Sequence, residues 1–182
     1  MKNEKSNKSI GRILNVEQSE IVAFLDKLSG GSSLDNGNLI LKDGLGSDKS
    51  EFKGMINRND GHYCKDLGTS DKAWIEFDFR ERKIHLSSYE IKTCNRDEGP
   101  KSWQILGSND EVNWTVLSNQ MNRMETKGLC VFSKFECTKN ENYYRFIRFN
   151  ILDTWNTEHP KYYIHFQYLG LFGLIVEPIS NS

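Results

Sequence analysis

Trp74-Ile75-Glu76-Phe77-Asp78-Phe79 opens the stretch whose reading decides the fold. Ser88-Tyr89-Glu90-Ile91-Lys92-Thr93 follows, then Pro100-Lys101-Ser102-Trp103-Gln104-Ile105-Leu106-Gly107-Ser108-Asn109-Asp110, then Asn113-Trp114-Thr115-Val116-Leu117. Each run alternates apolar and polar side chains at period two, and turn residues separate one run from the next. Ile75, Phe77 and Phe79 therefore share one face, opposite Trp74, Glu76 and Asp78. Consecutive antiparallel strands are the physical consequence.

Downstream, Gly107 to Asp110 turn the chain, and Asn119 to Gly128 make a polar loop. Phe132 and Phe135 fall in a strand near 129–137. Tyr143 to Asn150 is apolar on both faces except for Arg145 and Arg148, as a central strand would be; these arginines are expected to pair with carboxylates such as Glu76 or Asp78. Leu152 to Lys161 is a third polar loop, and Tyr163 to Phe172 a last strand. Upstream, Met1 to Ser9 is a charged tail, and Ile21, Phe24, Leu25 and Leu28 fall on one helical face. Asn15 with Gln18 can begin that helix and Gly30-Gly31 can end it. So short a helix is unstable alone and must dock on its own domain, on a partner or on a second copy. Asn36-Gly37 reads as a hairpin turn, Leu39 to Leu41 as the first strand, and Asp43 to Gly68 as a long ordered loop with room for one short strand.

Composition agrees with the strand reading. Among 182 residues only Ala23 and Ala73 are alanine, the best helix former, while 21 are aromatic. Charge is balanced, 24 basic against 25 acidic side chains, so there is no broad basic field for nucleic acid. No apolar run approaches the ~20 residues of a spanning helix. The N-terminus has no secretory pattern, which predicts a cytoplasmic, reducing setting with Cys64, Cys94, Cys130 and Cys137 as free thiols. In a secreted chain the even count would also permit two disulfides.

The words Trp74 to Phe79, Pro100-Lys101-Ser102-Trp103, Gly107-Ser108-Asn109-Asp110 with Trp114, Tyr144 to Phe149, and Leu171-Phe172-Gly173 occur in that order. Together they resemble the discoidin, or coagulation-factor type C, domain of the galactose-binding-like superfamily, over roughly residues 33–177. The version here is most similar to intracellular proteins in which such a domain stands behind a short helix and a Gly-Gly linker, often after a BTB-type region. The resemblance implies an all-β, eight-stranded antiparallel jelly-roll β-sandwich with a short N-terminal helix. Residues 1–32 would form a tail plus helix and 178–182 a tail. Trp103 and Trp114 would be core positions, and loops at one end would form a binding rim. None of the cysteines flanks the domain as the disulfide of extracellular members does.

A catalytic constellation is not legible. His62 and Cys64 have no second pair at zinc spacing, and His85 and His165 read as ordinary strand residues. The sequence contains no phosphate loop and no nucleophile elbow. Binding chemistry reads better. Trp155 offers an aromatic plate beside Asn156 and His159, and the loop Asn95-Arg96-Asp97-Glu98, with Asp60, His62 and Tyr63, would meet it if the loops converge. Asn57, Asn59 and Asp60 are candidate oxygen ligands for a structural calcium ion; no other cofactor is expected. Two functions follow. The leading one is a non-catalytic intracellular module that recognises a protein partner through the loop rim, as in substrate recruitment or scaffolding of a ubiquitin-ligase type, with Ile21, Phe24, Leu25 and Leu28 as a partner stripe if the helix does not fold back. The alternative is a carbohydrate-binding module that uses the same rim for a glycan.

Overall fold

The alternating runs become two stacked antiparallel sheets. The computed structural model describes residues 11–15, 19–59, 61, 63–66, 71–93, 98–128, 130–156 and 163–177. One sheet contains β3 (Ile40–Asp43), β5 (Trp74–Asp78), β7 (Pro100–Ser108), β8 (Thr115–Gln120) and β10 (Phe146–Thr154), in the order β3-β5-β10-β7-β8. The facing sheet is built on β6 (Lys83–Thr93), β9 (Phe132–Glu136) and the long β11 (Tyr163–Glu177). Three short strands lie in succession along the free edge of β11: β4 (Tyr63–Asp66), β2 (Ser19–Glu20) and β1 (Arg12–Ile13). Eight strands thus make the jelly-roll sandwich, and the three extra pieces cover an edge that would otherwise be unpaired.

Between the sheets lie Ile75, Phe77, Phe79, Tyr89, Ile91, Trp103, Ile105, Phe149 and Leu169, all fully buried or nearly so. Trp103 stacks on Phe149 at 5.9 Å and meets Phe135 edge-on at 5.1 Å, arrangements that suit the ring quadrupoles. Burial alternates along β6 until Ser88 and Tyr89, which are both buried, and the β6–β11 register shifts between Phe172 and Gly173 beside this point. Gly173 permits the close approach there: a Cβ on it would lie 2.0 Å from the carbonyl oxygen of His85.

The outer face of the five-stranded sheet is not solvated in the way the alternation suggests. Glu76 and Asp78 are buried because Arg148 of β10 and Arg145, just before it, lie on them. Arg145 bridges Asp78 at 2.8 Å, and Arg148 bridges Glu76 at 2.6 Å. The Arg148 guanidinium sits 4.3 Å from the ring centre of Trp74 and 4.1 Å from that of Trp114. Trp103 is thus a core residue, whereas Trp114 is half-buried on the outer face, stacked on an arginine. Trp114 falls there because its indole N–H is drawn to the carbonyl of Glu111 in the turn, 3.2 Å away.

Helix α1 (Ile21–Ser29) docks on its own domain, against β11. Ile21 and Leu25 are fully buried and Phe24 packs on the core; Leu28 is 50% exposed. The expected partner stripe is therefore largely spent internally, because the two sheets leave the β11 side uncovered. Its N-cap is Glu20, not Asn15; the Asn15 side chain instead donates to the carbonyl of Gly173 at 2.9 Å and accepts from Ile175 N–H at 2.7 Å, extending the sheet edge. Gly30 ends the helix at φ 67°, as its position predicted. The long loop after Asp43 holds a second helix, α2 (Lys49–Ile56), opened by a capping box between Asp48 and Glu51. Asn36-Gly37 turns the chain between α1 and β3, so it is a turn but joins no hairpin.

Candidate functional site

Three chain segments meet at one end of the sandwich, away from the end where β1 pairs with the last residues of β11. They are Glu98-Gly99 before β7, the polar loop after β8, and Trp155-Asn156 after β10. Local chemistry fixes them to one another. The backbone N–H of Trp155 donates to Gly99 O at 3.1 Å, and its indole N–H donates to Arg123 O at 3.3 Å. Arg123 N–H in turn donates to Lys101 O at 2.9 Å. The Thr126 hydroxyl, buried, lies on the carbonyls of Arg123, at 2.8 Å, and Pro100. Gly99 is needed here because a Cβ would fall 2.3 Å from Thr126 O. Across the same end, His165 N–H donates to Glu98 O at 2.9 Å and its Nδ1 lies 3.2 Å from the Glu98 carboxylate.

Trp155 is half-buried, with both of its N–H groups engaged, so its ring is held in place. The ammonium of Lys101 lies 5.3 Å from the ring centre and that of Lys127 5.0 Å. Lys101 also bridges Asp153 at 3.0 Å, and Arg123 bridges Glu125 at 2.5 Å while its guanidinium covers the Phe135 ring at 5.2 Å. A fixed indole bordered by cations and backbone carbonyls can stack on a flat apolar surface and hydrogen-bond to groups around its edge.

Of the residues singled out in the sequence, Trp155 and Asn156 reach this end of the sandwich, and both are half-buried. Asp60, His62, Arg96, Asp97 and His159 lie outside the described residues. Tyr63 is not part of a rim: it is 2% exposed, its ring stacks on Phe52 at 5.7 Å, and its hydroxyl lies 3.3 Å from Asp43 Oδ2. Its place in β4 turns it toward helix α2, which the sequence reading did not contain. Asn57 caps the C-terminal end of α2 and its Oδ1 accepts from Asn59 N–H at 3.1 Å, the local geometry of a turn. Among the described residues no three His, Cys, Asp or Glu side chains cluster as metal ligands. Glu98, the last residue of the expected 95–98 loop, does reach this end, whereas Lys101, Arg123 and Lys127 were missed, since each is far in sequence from Trp155 and none has a distinctive spacing.

A concavity of about 450 Å³ lies elsewhere, between α1, α2 and β11, lined by Glu20, Asp26, Lys53, Arg58 and Tyr168 among others. Burial pushes the Glu20 carboxyl up to about 7, against the helix N–H groups of Ala23 and Val22 that favour its charge. Arg58 pairs with Glu90 and lies over Phe132, 4.2 Å from the ring centre.

No family model matches the chain, and no curated protein sequence does. Solved structures do resemble it. CpGH89CBM32-6 of Clostridium perfringens superposes with a TM-score of 0.53 at 20% identity, over 75% of this chain and 94% of that module. The CBM32 of AlyQ, solved in complex with 4,5-unsaturated mannuronic acid, gives 0.52 at 10% identity over 87% and 98%. A family 89 glycoside hydrolase from Clostridium perfringens gives 0.53 at 16%, over 80% of this chain but 15% of the enzyme. The chain shares the antiparallel β-sandwich fold of these solved structures.

Proposed function

We propose that this chain is a non-catalytic carbohydrate-binding module, with a sugar ring held at the end of the sandwich that carries Trp155. The observation that carries the reading is the indole itself, half-exposed and anchored through both N–H groups to neighbouring loops. Sugars present an apolar face of C–H groups and a rim of hydroxyls, so a pre-set aromatic plate beside carbonyls and charged groups suits them, at little ordering cost. The fold it shares with carbohydrate-binding modules supports the same reading. The sequence reading favoured a protein partner at this same loop rim; the helical stripe adds nothing to that reading, because Ile21 and Leu25 are buried in the domain's own core.

A glycan array probed with the full chain and with Trp155→Ala tests the proposal. Selective glycan binding that disappears in the variant, with an unchanged far-ultraviolet circular dichroism spectrum, is the expected result. Silence of the wild type across the array, or equal binding by the variant, overturns it.

A further inference from the structure

A row of side chains crosses the outer face of the five-stranded sheet. Asn150 of β10 pairs in register with Trp74 of β5 on one side and with Gln104 of β7 on the other, and Gln104 pairs with Asn119 of β8. Residues directly opposite one another on antiparallel strands share a face. Their neighbours Ile75, Phe149, Ile151, Trp103 and Ile105 are buried between the sheets, so this row points outward. An indole and three amides thus stand side by side on four strands. Gln104 and Asn150 are half-buried and Asn119 is exposed, and none of the three side-chain amides has a hydrogen bond among the described residues. The next row is apolar, with Leu106 paired to the half-exposed Val116 and with Arg148 stacked between the indoles of Trp74 and Trp114.

We propose that this face is a second saccharide site, which takes a linear, neutral, β-1,4-linked polysaccharide laid across the strands. The site lies outside the Trp155 rim and does not depend on it. Neighbouring strands are about 4.8 Å apart, close to the advance of such a chain per pyranose, so successive amides meet successive sugars. A polypeptide advances only ~3.1–3.4 Å per residue and falls out of step with the row. The occupant is neutral because the charges of the face are spent on one another: Arg148 on Glu76, Arg145 on Asp78, and Lys42 on Glu76 at 3.4 Å and Glu111 at 2.6 Å. Both indole N–H groups are held by turn carbonyls, Trp74 by Asp71 at 3.1 Å and Trp114 by Glu111 at 3.2 Å. The indoles therefore offer apolar surface alone, while each amide offers donors and an acceptor. A pyranose has the matching division, an apolar C–H face and a rim of hydroxyls.

The full chain carrying Trp155→Ala, which removes the rim's indole, is titrated calorimetrically with cellohexaose, mannohexaose and xylohexaose, beside cellobiose, maltohexaose and decaproline. At least one of the three β-1,4-linked hexasaccharides should bind, more tightly than cellobiose or the coiled, α-linked maltohexaose, and its affinity should not change with salt. Gln104→Ala with Asn150→Ala should weaken that hexasaccharide by about tenfold, the loss of two hydrogen-bonding side chains. Both positions are partly exposed, so the fold is kept, and the melting temperature verifies it. Trp114→Ala should weaken it similarly. Silence of all three hexasaccharides overturns the proposal, as does binding that the amide variant leaves unchanged or that maltohexaose equals. Decaproline binding with the hexasaccharides silent assigns the face to a polypeptide and overturns it too. Glycans that the wild type binds and Trp155→Ala loses report on the rim alone, so either site can fail without the other.

Discussion

The indole N–H of Trp103, in β7, donates to the hydroxyl of Tyr89, in β6, at 2.9 Å, so one hydrogen bond joins the two sheets through the middle of the core. The same hydroxyl lies 3.0 Å from Ser118 Oγ on β8, and burial pushes its own ionisation up to about 12, which keeps it neutral under ordinary conditions. Tyr89→Phe removes no carbon but leaves a buried indole N–H and a buried serine without this partner. The expected loss is about 1–3 kcal/mol of unfolding free energy. Urea denaturation of Tyr89→Phe, Trp103→Phe and the double variant should show a coupling between them; additive losses would mean that the bond contributes nothing of its own.

Arg148 is the nearer of two cations that neutralise a buried carboxylate, Glu76, the other being Lys42 at 3.4 Å. Glu76 is fully buried, and burial raises its ionisation even though Arg148 and Lys42 pull it down. Arg148→Met leaves that charge to Lys42 alone, at a cost of up to about 3 kcal/mol near neutral pH. Because the variant's Glu76 then favours its neutral form still more, the deficit should shrink as pH falls through the carboxylate range, and Glu76→Gln in the same chain should recover most of it. Thermal melts of the single and double variants at neutral and acidic pH check both statements.

Glu20 gives the native state a pH dependence of its own. The carboxyl titrates near 7 in the folded chain against an ordinary value of 4.5. The native state therefore binds the proton more tightly than the unfolded chain, and stability falls as pH rises from about 4.5 to about 7. Glu20→Gln keeps an oxygen for capping the helix and removes the charge, so it should flatten that part of the stability curve. A Glu20→Gln protein whose denaturation midpoint tracks pH as steeply as the wild type would contradict the assignment.

Glycines at two positions should respond in opposite ways. Gly173→Ala drives a methyl group onto the His85 carbonyl, backbone against backbone across the β6–β11 pair, and should abolish soluble folded protein or lower its melting temperature sharply. Gly31→Ala meets nothing within 4 Å and should stay within about 0.5 kcal/mol of wild type. Differential scanning calorimetry of the two variants separates close packing from mere loss of chain flexibility.

Much of the sandwich could be read before the structure, because period-two alternation is a local property that dictates which side chains share a face. The runs at 74–79 and 84–93 emerge as β5 and β6 with ends within a residue or so, and Trp103 and Ile105 fall in β7, which continues through Gly107 and Ser108 where the sequence suggested a turn. β10 is displaced: it begins at Phe146 and continues to Thr154, through residues that look like polar loop, because pairing with β7 carries the strand onward past two register irregularities. Helix α2 was hidden by its weak apolar content, although the Asp48–Glu51 capping box marked its start. At the candidate site Trp155, Asn156 and Glu98 were recognised among the described residues. The lysines that border the indole had no local signature.

The order of apolar and polar residues by itself determined that the chain forms antiparallel strands, which faces of those strands are apolar, and that Arg145 and Arg148 need acidic neighbours. These follow from backbone periodicity and from the cost of burying charge, which act within a few residues. Only the tertiary structure decided that helix α1 turns its apolar stripe inward, that Trp114 stacks outside the core, and that Lys101 and Lys127 converge on Trp155. Such outcomes depend on the pairing of distant segments, where the free energy of burial is gained only after two sheets have closed on one another.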